Sequence, residues 1–221
     1  MEQQNIQKIK GDIKAQLVHI REPLFTSKTA PDPDWYLNAC LHVTPENWDT
    51  YAEGYRSAAD IIVQYVIDNN WYQDFLVYPI VFLYRQYLEL RLKELIRVSS
   101  QLLGQKPDFP KEHDLVKLWR KVRPNIEQVW PDPSKESYLA ATEDRIKELY
   151  SIDPGSYAFR YPEDKKGTPT LVGTQHINLK QLRDGLKAIS IVLDGSSTGI
   201  GEYLEAKHDI MANYGTEIDS Y

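Results

Sequence analysis

The run Tyr78-Pro-Ile-Val-Phe-Leu-Tyr-Arg-Gln-Tyr-Leu-Glu-Leu-Arg-Leu-Lys-Glu-Leu-Ile-Arg97 constrains this chain more than any other stretch. Phe82, Leu83, Leu88, Leu92, Leu95 and Ile96 recur at three- and four-residue steps, continued by Leu102 and Leu103, which predicts a helix. Pro79 suits its first turn, and Gly104 followed by Pro107 closes it. Val81, Tyr84, Tyr87 and Leu90 widen the apolar stripe beyond that of a surface helix, so this helix is expected at the centre of the fold. Its charges Arg85, Glu89 and Lys93 stand four apart and share one column. That column either solvates an outer edge or lines a site.

The other elements read as helices packed around this one. Ile6, Ile9, Ile13, Leu17 and Ile20 predict an amphipathic first helix, and the prolines at 23, 31 and 33 mark an irregular connection. Thr44-Pro45-Glu46-Asn47 opens a helix to about Asp68, with Trp48, Tyr51, Tyr55, Ala58, Ile62, Tyr65 and Val66 as its buried stripe. Asn69-Asn70 turns the chain, and Asp74 is the expected cap of the central helix, making an antiparallel hairpin. His113 stands at the entrance of a further helix carrying Leu115, Leu118, Trp119, Val122, Ile126 and Val129. Asp132-Pro133-Ser134 opens another to about Tyr150, ended by Asp153-Pro-Gly155. Asn178 caps the last, with Leu182, Leu186, Ile189 and Leu193 inward. A break is expected at Asp194-Gly195-Ser-Ser-Thr-Gly199, before a final segment from Ile200 to about Asn213. Residues 156 to 177 have no helical period and admit two short strands around Lys165-Lys166-Gly167.

The fold class expected is therefore all-α: an antiparallel helical bundle in one domain, with a small irregular or β-hairpin insertion near residues 157–173. At 221 residues and 42% apolar the chain can bury a sizeable core. The single cysteine, Cys40, excludes an internal disulfide, fits a reducing compartment and is expected to be buried. The start lacks the basic-then-apolar order of a secretory signal and no apolar run approaches a membrane span, so a soluble cytoplasmic protein is expected.

Net charge of −6 argues against a protein that coats nucleic acid non-specifically. The charge is unevenly spread. Residues 85 to 123 hold ten Lys/Arg against five Asp/Glu, a local +5 that leaves −11 on the rest. Such a segment either meets phosphate or forms ordinary solvated helix faces. The five histidines are scattered singly, so no metal site is visible, and no nucleophile elbow, dinucleotide fingerprint or phosphate loop implies a cofactor. The 15 Tyr and 5 Trp are expected mostly on inward faces.

Three pieces in order carry a family resemblance: Glu89-Leu-Arg-Leu-Lys93-Glu-Leu-Ile, His113-Asp-Leu-Val-Lys-Leu-Trp and Phe159-Arg160-Tyr161-Pro162. Over about residues 45 to 195 the chain resembles the HEPN superfamily (higher eukaryotes and prokaryotes nucleotide-binding domain). The domain then divides into an N-terminal helix and connection (1–43), a HEPN-like core (44–195) and a C-terminal extension (196–221). The resemblance implies a helical bundle that often dimerises. Its members act as metal-independent ribonucleases or nucleotide-binding modules, frequently in bacterial toxin–antitoxin and phage-defence systems. Nuclease members carry an Arg followed after four to six residues by His. Here the histidines at 19, 42, 113, 176 and 208 all miss that spacing, which weighs against the usual ribonuclease chemistry.

Two function classes follow. One is a HEPN-like interaction or regulatory module that forms a homo-oligomer or binds a partner protein. The other is an RNA-acting enzyme or nucleotide sensor, with His113 as the candidate catalytic group and Arg85, Glu89, Lys93 and Arg160 around the phosphate. The same residues have an ordinary structural use as well: a cap at His113, a helix-end donor at Arg160 and a four-apart ion pair between Glu89 and Lys93.

Overall fold

The computed structural model describes residues 20, 23–25, 27, 31–41, 48–106, 110–131, 133–174 and 176–218, with side chains followed as far as Met211. The expected first helix and the Thr44-Pro45 helix start lie outside the described residues. The chain divides into two compact units, Met1–Pro45 and Glu46–Tyr221. In the first, Trp35–Leu37 form a 3-10 turn after Asp34, whose N–H is taken by Asp32 Oδ1 at 2.9 Å. Cys40 is exposed there, not buried as expected, because none of the described residues of this unit forms a core.

The second unit is an all-α helical bundle. Its described helices are α1 (Trp48–Asn69), α2 (Gln73–Leu102), α3 (Leu115–Val129), α4 (Glu136–Ile152) and α5 (Leu179–Ile218). The central helix is α2, which packs on α1, α3 and α5. Leu88, Leu92 and Leu95 are all completely buried in it. It starts earlier than Pro79 suggests: Tyr72 takes a left-handed conformation before Gln73, Asp74 sits in the first turn and Pro79 lies inside the helix. Gly104, at φ +71°, ends it as expected, with Gln105 N–H returning to the Ser100 carbonyl at 2.8 Å.

Long-range pairs give the helix directions. Tyr84 with Asp60 and Arg91 with Asp49 set α1 antiparallel to α2. Arg85 with His113 and Asn125 with Ser99 set α3 running alongside α2 in the same sense, as Tyr87 with Asp194 and Lys207 with Leu102 do for α5. Because α2 and α3 are consecutive and run in the same sense, the chain between them, residues 103–114, must return along the bundle. Trp119 with Glu143 and Arg123 with Glu136 set α4 antiparallel to α3, so residues 153–178 join two antiparallel neighbours, α4 and α5.

The connection 153–178 contains no strand among its described residues. A single antiparallel bridge, Glu163 with Pro169, closes over a turn in which Gly167 takes φ +76° and Asp164 Oδ1 accepts from the N–H groups of Lys166 and Thr168. The break expected at 194–199 does not occur, and α5 runs on through it. Ser196 Oγ donates back to the Val192 carbonyl at 2.8 Å, and Ser197 Oγ donates to Glu94 across the bundle. Gly199 is there for packing: a Cβ would stand 2.7 Å from the Trp130 ring.

On α1 the expected stripe holds at Val66, which is buried, and at Tyr55 and Ile62, which pack against the core, but its other buried positions lie about one residue along. Ala52, Ala59, Val63 and Val66 face the core, whereas Tyr51 and Tyr65 are 60% and 48% exposed. Trp71, Tyr72, Phe75 and Tyr78 at the hairpin end are also exposed, so aromatic content exceeds what the core absorbs.

Candidate functional site

Both long connections meet α2 at one level, and Arg85 is where they meet. Its side chain is fully buried. Nη2 donates to the His113 carbonyl at 2.8 Å, just ahead of α3, and Nε donates to the Asp153 carbonyl at 3.2 Å, just after α4. Its Nη1 donates to Glu89 Oε2 at 3.1 Å, one turn along the column. Glu89 Oε1 takes Lys93 Nζ at 3.0 Å and stands 2.7 Å from His113 Nδ1. The column thus lines an interior junction instead of an outer edge.

Local chain signals position each partner. Asp114 caps α3 by accepting from Lys117 N–H at 3.0 Å, which fixes His113 at the entrance. Asp153 is buried at the end of α4, and its Oδ1 accepts from the N–H groups of Tyr157 and Ala158. Its Oδ2 lies 3.8 Å from Arg85 Nε without a hydrogen bond. Aspartate at this place was not singled out in the sequence; an acidic residue immediately before Pro-Gly at a helix end was the available signal.

The electrostatics decide what this cluster can do. Burial opposes ionisation of the Glu89 carboxyl, but hydrogen bonds from Lys93 and His113 outweigh it and hold its pKa below the ordinary glutamate value. Arg85 and Lys93 are 0% and 8% exposed, so their charge is directed at Glu89 and not at solvent. His113, at 68%, is the exposed member of the four. Its ring is held at Nδ1 by the buried Glu89 carboxylate.

Arg160 stands apart from this junction. Its Nε donates to the Ser156 carbonyl, and its guanidinium lies 5.6 Å from the ring centres of Phe82 and Tyr161. Phe82 precedes Arg85 by three residues, so Arg160 belongs to the same side of α2, one turn earlier. Its described contacts include none with Glu89, Lys93 or His113. Two cavities of about 340 Å³ each are lined by none of the five candidate residues.

No protein-family model, curated protein or solved structure matches the chain.

A second polar network, unforeseen in the sequence, occupies the α1–α2–α5 junction. Arg91, nearly fully buried, donates to Asp49 and Glu94, and its Nε stands 2.8 Å from Asp194. Tyr87 donates its hydroxyl to Asp194 at 2.9 Å, and burial first, then the Asp194 charge, push its pKa up. Arg85 and Arg91, two of the ten cations of the +5 segment, are both buried and paired, so neither presents its charge to solvent. Among the described residues no three His, Cys, Asp or Glu side chains gather as metal ligands, and no helix is long and apolar enough to cross a membrane.

Proposed function

We propose that the chain is a HEPN-like interaction module that acts as a homodimer in a bacterial defence or toxin–antitoxin setting, with the Glu89 junction serving as an internal brace. The observation that carries this reading is an uncovered apolar seam on α1. Tyr51, Gly54, Ala58, Ile61 and Tyr65 alternate three- and four-residue steps and fall within an arc of about 80°. Tyr51, Ile61 and Tyr65 are 60%, 69% and 48% exposed, and a Cβ on Gly54 would meet nothing. No charged residue interrupts the seam.

Its pattern is self-complementary. In an antiparallel pairing about a two-fold axis between Gly54 and Ala58, each Gly54 faces the partner's Ala58 and each Tyr51 faces the partner's Ile61. Small residues bring the helices close at the centre, and large ones close the two ends. The three motifs behind the HEPN likeness give further support: two of them contribute Glu89, Lys93 and His113 to one junction, and the third rests its Arg160 on Phe82 beside it.

The experiment is a concentration series by NMR with assigned methyls. The Ile61 methyl signals should shift between micromolar and millimolar protein while those of buried Leu92 stay fixed. Invariant Ile61 signals would remove the seam as the interaction surface.

One observation favours a second reading, an RNA-acting enzyme: His113 is exposed and oriented by a buried carboxylate, the arrangement a general acid or base requires. RNA cleavage by the wild type that is lost in His113→Ala would establish it.

A further inference from the structure

A cavity of about 340 Å³ lies between α2, α4 and α5. Its floor is aliphatic, with Val81 and Leu88 from α2, Leu149 from α4, and Leu182 and Leu186 from α5. Its mouth is polar. Arg145 is tied to Glu148 at 2.5 Å, and the remaining polar groups are Thr174, His176 and the carboxamides of Asn178 and Gln181. Asn178 Oδ1 already accepts from Gln181 N–H at 2.9 Å, so its amide group is left to donate. A second cavity adjoins across Phe159 and Ile177, which line both.

One position on the wall is informative. Gly185 sits inside α5, where glycine is among the least favourable residues. No positive φ calls for it, and a Cβ added there meets no heavy atom within 4 Å. Close packing does not explain it either, in contrast with Gly199 against Trp130. What the missing side chain preserves is open volume.

We infer that this cavity binds a small neutral amphiphile, its aliphatic body against the leucine floor and a hydroxyl or amide head at Asn178 and Gln181. The volume has room for roughly ten non-hydrogen atoms. The body is apolar because a polar group on the floor would lose its water without gaining a partner. The head is uncharged because the one arginine in the lining is already paired with Glu148, and beside His176 and Thr174 the mouth offers only the two carboxamides. This inference is independent of the α1 seam.

The test is an NMR titration of the full chain, following the methyls of Leu149, Leu182 and Leu186, with 1-octanol and with octanoate. Octanol should give saturable shifts at these methyls, and octanoate, the same chain with a charged head, should bind at least tenfold more weakly. Gly185→Leu should weaken octanol at least tenfold with an unchanged circular dichroism spectrum, and Gly185→Ala should weaken it by less. Gly201→Leu, on the same helix outside the cavity, should bind as the wild type does. Absence of saturable shifts up to the solubility limit, or unaltered affinity in both Gly185 variants, would overturn the site. Octanoate binding as tightly as octanol would overturn the neutral head.

Discussion

His113 Nδ1 lies 2.7 Å from Glu89 Oε1, joining the exposed entrance of α3 to a carboxylate buried in the middle of α2. Because Arg85 also holds the His113 and Asp153 carbonyls, one four-apart column fastens both long connections to the central helix. Removing the carboxylate charge leaves buried Lys93 without its ion partner and Arg85 with only Asp153 at 3.8 Å. Glu89→Gln should therefore lower unfolding free energy by about 3–5 kcal/mol. Urea denaturation measures it, and a loss under about 1 kcal/mol would show the column to be a passive ion pair.

His113 should be far less important to stability than Glu89. Its ring is mostly solvated, and exposed ion pairs contribute about 0–1 kcal/mol. His113→Ala is expected to keep the wild-type circular dichroism spectrum and lose no more than about 1 kcal/mol. That makes it a clean variant for the RNA-cleavage comparison, since lost cleavage could not be ascribed to unfolding.

Leu92 has no exposed surface and sits where α2 meets its neighbours. Leu92→Ala should cost about 2–5 kcal/mol, from lost burial and the cavity left behind. The same substitution at half-buried Leu90 should cost distinctly less. Equal losses in denaturant titrations would mean that the core does not centre on this face of α2.

Acid should expose a different tie, between α3 and α4. Hydrogen bonds from Lys147 and Arg123 hold the Glu143 carboxyl down at about 2 against an ordinary 4.5. Trp119 Nε1 donates to the same group at 3.2 Å. A value lowered by folding means that the ionised carboxylate stabilises fully above about 4.5, and that this contribution is lost as pH falls toward about 2. In Glu143→Gln the stability–pH curve should be flatter over that interval. Parallel curves for variant and wild type would remove Glu143 as a source of acid sensitivity.

Periodicity alone located α2 and its buried leucines, because its apolar stripe is wide enough that any packing buries Leu88, Leu92 and Leu95. Spacing also put Arg85, Glu89 and Lys93 in one column, but it could not tell that column's surroundings: these depend on where residues 103–114 and 153–158 return. On α1 two apolar stripes differ by a single residue, Tyr51-Ala58-Tyr65 beside Ala52-Ala59-Val66; the expected stripe held the first and only Val66 of the second, because large aromatics outweighed the alanines. The small residues were inside because α1 approaches α2 closely. The serines and glycines of 194–199 read as a break because their individual propensities oppose helix. Their partners, Glu94 and Trp130, are far away in the sequence and supply what local preference withholds.

Pairing through the α1 seam is the central claim, and mass in solution tests it most directly. Multi-angle light scattering of the wild type should give about twice the 25.7 kDa chain mass, and Ile61→Glu, which places a charge on the seam without touching the core, should give a single chain. A wild type that remains at 25.7 kDa up to millimolar concentration, or a dimer indifferent to Ile61→Glu, would contradict the account.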